Sequence, residues 1–461
     1  MNERRFSEFL HAVKEDPRAF YHYEISKPFN DVIDEIYDDV KKFRYYTLDG
    51  RFQDLFIRLS QEPNWTTWDY QKLLTSLETE LQKLIVPNLI MLPLNFLDSK
   101  IIKSDLIINE NIRLFLPTAI DLENHTKAEL LLRQEKRRKK QFDEPICKYF
   151  DSVLDGHLDK EHILLAKDKD FFHYPVLTIY IENIDARVED EAKFITEAIY
   201  SLLRMIDYKT GDHEYYEFGR GAWQKTKFGL SNTYTVYYNV NDGYSSDHPT
   251  YYGLSSKFNY SGFLDISSSR FLNNTDWFCK ALDIFIKASF IDKRKFSNHE
   301  LDMLNKWCNT ILLYNTAYEF ASIEKYDACV LILSSLLESI FLKNTGRNKS
   351  ELLANELSQF LTDIYPDKKI DDLVQIVKIL YKYRNKIIHE GIGLEKQFIR
   401  PCDVNAPQGE YRGMKPFHYA GSFYPDKDLM GIDIILKCLV DILIGEKMIE
   451  KISKILETSC Q

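Results

Sequence analysis

No part of this chain reaches the roughly 18 uninterrupted apolar residues that a membrane-spanning helix needs. The nearest approach, KLIVPNLIMLPLNFL (83–97), is short and is broken by Pro87 and Pro93. Positive charge is also in deficit. Sixty Lys and Arg face 70 Asp and Glu, a formal net charge of −10. Any nucleic-acid contact must then come from a local basic patch, because the field of the whole molecule repels phosphate. Seven cysteines are scattered along the chain without a C-x-x-C pair. An odd, dispersed set argues against a zinc module and a disulfide framework, and fits a reducing cytosol. Glycine is scarce, 17 residues in 461, which disfavours an architecture of many tight turns. The opening MNERRFSEFLHAVKEDPRAF carries charges where a signal peptide has an apolar core. The expectation is a cytoplasmic, soluble protein with no membrane span, no metal and no cofactor.

What is present is ample material for folding. The chain is 44% hydrophobic and 28% charged, with 29 Tyr and 29 Phe, and its length suits two or three domains. Residues 3–16, 30–43 and 71–84 read as amphipathic helices. The proline-bearing run 84–97 reads as an edge strand or extended chain, and 111–120 is similar. FFHYPVLTIYIENI (171–184) reads as a strand, 190–206 as a helix, and TYTVYYNV (233–240) alternates at period two as a half-buried strand does. Residues 241–275 read as loops with short strands. From 298 onward the pattern is helical, with helices at 299–321, 325–343, 349–363, 370–389 and 428–457. The fold expected is an α+β N-terminal region, 1–297, with a sub-boundary near 143–170, followed by an all-α helical bundle, 298–461.

The fourth helix of that bundle and its exit read DDLVQIVKILYKYRNKIIHEG. At about 100° per residue, Leu373, Val377, Leu380, Arg384 and Ile388 fall along one stripe. Four of the five are apolar, so the stripe faces a core or a helix partner, and Arg384 stands where Leu or Ile is expected. A guanidinium is rarely buried unless a carboxylate or phosphate meets it. Glu338, on a stripe with Leu331, Ser335 and Leu342, is the carboxylate expected to pair with it. Asn385 and His389 are four apart and share the adjacent face with Lys378 and Lys382. Such a set suits phosphodiester cleavage. His can accept or deliver a proton near neutral pH, Arg can hold and stabilise a phosphate, and Asn can fix the imidazole tautomer or bind a phosphate oxygen. RNA supplies its own nucleophile, the 2′-hydroxyl, so no metal is required. Arg384 and His389 lie about 140° apart around an α-helix, so two helices meeting across a dimer would close the site best. The plainer alternative is an Arg and a His complementing the dipole at a helix C-terminus.

Four other features carry weaker chemistry. The basic run 133–140 can grip a nucleic-acid backbone or simply end a solvated helix. His157 and His162 are five apart and lack the spacing of a zinc helix. Gly219, Arg220 and Gly221 form a turn without a P-loop ending. Residues 394–427 combine Lys396, Arg400, Arg412 and Lys415 with Tyr411, Phe417 and Tyr424. That composition suits single-stranded RNA, and equally a packing loop.

RNKIIH (384–389) resembles the motif of the HEPN superfamily, an Arg and a His a few residues apart with a polar residue directly after the Arg. YKYRNKIIHEG (381–391) together with LILSSLLESIFL (331–342) looks like the ApeA-like branch, with its Leu-Glu pair in an earlier helix. Here Glu390 stands between His389 and Gly391, a departure from that branch's His-Gly ending. A sister branch that partners small nucleotidyltransferases carries a Tyr where this chain has Gly391. The resemblance covers about 160 residues and leaves 1–297 unassigned. It implies a dimerising helical bundle in which Arg384, Asn385 and His389 line a shared cleft. The implied activity is metal-independent endoribonuclease cleavage of tRNA or mRNA, used in bacterial anti-phage defence or as a toxin. A phage-derived or small-molecule trigger would act through 1–297. The rival expectation is a non-catalytic HEPN-type dimerisation or RNA-binding module.

Overall fold

A computed structural model describes residues 2–17, 27–47, 50–94, 106–107, 111–115, 175–184, 188–209, 234–239, 252–253, 268–322, 326–342, 349–364, 378, 380–391, 439–440 and 444–458. These residues are mostly helical and carry one antiparallel sheet. The basic run 133–140, the pair His157 and His162, Gly219–Gly221 and the whole of 394–427 lie outside them.

The chain opens with four helices, α1 (Glu3–Glu15), α2 (Asn30–Val40), α3 (Gly50–Ser60) and α4 (Tyr70–Gln82). The side chains of Asn2 and Asp69 cap α1 and α4 by accepting from Arg5 N and Lys72 N, which satisfies donors the helix itself leaves open. Phe6, Phe9, Leu10 and Val13 recur at helical spacing on α1, as Leu73, Leu77 and Leu81 do on α4. They close around Trp65, whose indole N–H donates to the Leu10 carbonyl at 2.8 Å. Helix α3 is an addition to the sequence reading.

The sheet follows. Its strands are β1 (Ile85–Pro93), β2 (Leu106–Ile107), β3 (Ile112–Phe115), β4 (Val176–Ile184), β5 (Tyr234–Asn239) and β6 (Tyr252–Gly253), in the order β2-β3-β4-β1-β5-β6. β1 is therefore an interior strand, where an edge strand or extended chain was expected from its prolines. The register explains how it tolerates them. β4 pairs with β1 along all of 85–93, with Pro87 opposite Glu182 and Pro93 opposite Val176. β5 pairs only with Asn88–Met91. Both prolines thus lie outside the doubly paired segment, where a missing N–H breaks no ladder on the β5 side.

Helix α5 (Val188–Lys209) lies between the sheet and two later helices, α7 (Thr275–Ser289), which follows the short α6 (Ser268–Asn273), and α8 (Asn298–Ser322). Its residues from Ile195 to Ile206 are buried on nearly every side, as expected of a helix covered by layers on both flanks. Each fully buried Leu or Ile there contributes about 1.5–3 kcal/mol. Polar bonds lock the seam to α8. Ser201 donates to the Ile311 carbonyl. Arg204 donates to the Asn315 carbonyl at 3.1 Å and to its side-chain oxygen, and stacks over Tyr318.

Helix α9 (Tyr326–Phe341) packs on α8, α10 (Lys349–Ile364) packs on α9, and α12 (Glu446–Thr458) packs on α7. The helical segment 380–390, α11, adds Leu380 and Tyr381 to the same core. One hydrophobic core runs from Ile90 of β1 to Ile455 of α12. Packing is continuous across position 297/298, because α5 and α7 supply the surface on which α8 lies. The N-terminal helices form a second core. Arg294, just after α7, ties that core to the first by pairing with Glu78 of α4 and lying over the Phe43 ring at 4.4 Å. No helix among the described residues is long and apolar enough to cross a membrane.

Candidate active site at the end of helix α11

Three helices meet where α11 ends. α9 brings Glu338 in its last turn, α10 brings Lys349 as its first residue, and α11 brings Tyr381, Arg384 and Asn385. The Glu338 carboxylate accepts from Lys349 Nζ at 3.0 Å through Oε2. Its Oε1 lies 3.6 Å from Arg384 Nη2, close enough for an ion pair and too long for a hydrogen bond. Arg384 Nη1 donates to Asn385 Oδ1 at 3.1 Å, and the guanidinium leans over the Tyr381 ring, 5.9 Å from its centroid. The Tyr381 side chain is buried, and its hydroxyl faces Glu338.

Electrostatics follow from this crowding. Burial pushes the Glu338 carboxyl up. The Tyr381 hydroxyl, Lys349 and Arg384 outweigh it, so the net pKa lies below the usual glutamate value. Burial raises the Tyr381 phenol first, the adjacent Glu338 charge raises it further, and Arg384 opposes only in part. Tyr381 is therefore a neutral donor, and Glu338 an anion, across the physiological range.

Arg384 keeps 25% of its side-chain surface exposed, so it sits at a border and not in bulk water. Its stripe does not stay apolar to the end. Leu380 is buried and Ile387 packs on the core, but Ile388 is 49% exposed. The winding also changes at this helix end. Lys386–Glu390 form a π-helix, closed by Gly391 in the left-handed region at φ +64° with its N–H on the Lys386 carbonyl. A π-turn is wider than an α-turn. It also advances less per residue than an α-helix, so it closes part of the 140° between Arg384 and His389. Lys378, Lys382, Asn385 and His389 all stand on the exposed face.

No known protein family, characterised protein or solved structure matches this chain.

The structure thus brings together Arg384, Asn385 and Glu338. His389 lies on the same helix end, and among the described residues no hydrogen bond joins it to the cluster. The side-chain oxygen of Asn385 turns to Arg384 and not to the imidazole. Lys382 stays outside the cluster, while Lys349 completes it. Lys396, Arg400, Arg412 and Lys415 lie outside the described residues. Lys349 has no local sequence signal, since it comes from another helix. Tyr381 has one, a position three residues before Arg384 on the same helical face. Among the described residues no group of three or more His, Cys, Asp and Glu gathers as a metal site.

Proposed function

We propose that the chain is a metal-independent endoribonuclease whose C-terminal part, 298–461, is a HEPN-like helical bundle acting as a homodimer. The observation that carries this reading is Arg384. It is half-buried, held by Glu338 at an ion-pair distance that leaves its fork unsaturated, and it shares a helix end with exposed Asn385 and His389. A phosphate is the group that completes such a guanidinium. In the reaction the RNA 2′-hydroxyl attacks the adjacent phosphorus, and the bond to the 5′ oxygen breaks. His389 takes the hydroxyl proton or supplies one to the leaving oxygen, and Arg384 stabilises the charge that grows on the phosphate. The products are a 2′,3′-cyclic phosphate and a 5′-hydroxyl. Exposed Ile388 beside the site is the apolar contact that a second copy would cover. The region 1–297, read as α+β, serves as the sensor or restraint. A cytoplasmic role in anti-phage defence or as a toxin, released by a phage-derived or small-molecule trigger, fits an enzyme that needs restraint.

The test is direct. Wild type, Arg384→Ala and His389→Ala are incubated with tRNA and with mRNA in EDTA. Wild type should cleave, and each variant should lose at least about a hundredfold in rate. RNA bound but left intact by all three proteins would favour the non-catalytic dimerisation or RNA-binding module instead. Light scattering after size exclusion reads the dimer.

A further inference from the structure

Glu338 and Lys349 each stand at the wrong end of their own helix. An acid in the last turn of α9 and a cation at the first position of α10 both oppose the helix dipole. Their pairing at 3.0 Å offsets that cost and occupies Oε2 of the carboxylate. Oε1 is left for Arg384, at 3.6 Å. Oε1 is buried, and the Tyr381 hydroxyl, also buried, faces the same carboxylate. A buried carboxylate oxygen one small movement away from a guanidinium is an unfinished contact.

We infer that Lys349 is a positioning residue that, by drawing Glu338 toward itself, keeps Arg384 in place yet free to turn to a phosphate. The inference rests on the nuclease reading and adds a regulator to its site. Glu338 competes with substrate phosphate for one guanidinium, and Lys349 sets the balance. Without Lys349 the carboxylate has a single cation left to meet. It then closes on Arg384 as a bidentate pair and withdraws it from substrate. Without the carboxylate charge, Arg384 is free whatever stands at 349.

Phenylglyoxal, which modifies unpaired guanidinium groups, reads this balance without RNA. The full-length protein is treated as wild type, Lys349→Met, Glu338→Gln and the double variant, and modification of Arg384 is followed by mass spectrometry of its peptide. Lys349→Met should slow modification about threefold and Glu338→Gln should speed it about threefold, the scale of one partly exposed ion pair. The double variant should match Glu338→Gln. A Lys349→Met rate equal to or above wild type, or a double variant slower than Glu338→Gln, overturns the inference. Circular dichroism checks each fold. If Glu338→Gln does not fold, Lys349→Arg takes its place and should keep the wild-type rate. A 2′-O-methyl RNA oligonucleotide, which offers phosphates but no nucleophile, is then added to wild type. The predicted variant order without RNA protection of Arg384 sinks the nuclease reading and leaves the Lys349 balance standing. Protection with the wrong order does the reverse.

Discussion

Glu338 is a carboxylate between two cations and a phenol, and its titration reports whether those contacts act as an ionic cluster. Its pKa in the fold lies below the ordinary value of 4.5. The unfolded chain therefore binds a proton at Glu338 more readily than the folded one, and the cluster stabilises the fold only while Glu338 is ionised. That contribution, about 1 kcal/mol for a partly exposed network, is fully present at neutral pH. It fades as the pH falls below 4.5 and toward the lowered folded value. The difference in melting temperature between wild type and Glu338→Gln should thus be largest at pH 7 and shrink in acid. A difference that holds unchanged down to pH 3 would show that packing, not charge, sets the role of Glu338.

Winding of the last turn of α11 decides what its side chains can reach. A π-turn is uncommon and is frequently found at functional positions. Here it is closed by Gly391 at φ +64°, a conformation that costs an L-residue about 1–2 kcal/mol. A Cβ at 391 would meet nothing within 4 Å, so substitution adds backbone strain without a clash. Gly391→Ala should lower stability by about 1 kcal/mol and speed amide exchange at 386–391. An alanine variant as stable as wild type would mean that the turn relaxes freely and does not hold His389. The β1 strand carries a related lesson. Its prolines argue for an edge, yet the register sets both just beyond the doubly paired residues, and strand order is not visible in one segment's composition.

Across the whole molecule, helix α8 joins α5 and α7 to the helices that follow it. Leu304, Trp307, Ile311 and Tyr314 are buried, Trp307 lies against Phe285 of α7, and Ser201 and Arg204 of α5 bond its backbone. A fragment cut at 298–461 loses α5 and α7 and exposes that apolar face. We expect it to be insoluble or aggregated, whereas a fragment that keeps 85–461 retains the partners and the sheet beneath α5. A 298–461 fragment that is soluble and unfolds cooperatively would show that the helical part is an independent unit after all. The helices at 3–16, 30–43 and 71–84, the strands at 176–184 and 234–239, and the helices at 190–206, 299–321, 325–343 and 349–363 were readable because their apolar periodicities are strong. α3 and α7 were not anticipated, α6 stands where the end of 241–275 was read as loop or short strand, and the continuity of the core was not foreseen.

Sequence alone determined where periodic apolar residues make helices and strands, and that an arginine interrupts an apolar stripe five residues before a histidine. Both are local, set by the 3.6- and 2-residue repeats of the backbone and by the high cost of burying an unpaired cation. Only the tertiary structure set Glu338, the carboxylate its stripe had singled out, 3.6 Å from Arg384 and showed that Lys349 shares it. It alone showed the π-turn at 386–390 and the exposure of Ile388, and placed β1 inside the sheet. These depend on contacts between segments far apart in the chain, or on a hydrogen-bond register one residue longer than the helical rule, and no local pattern specifies either.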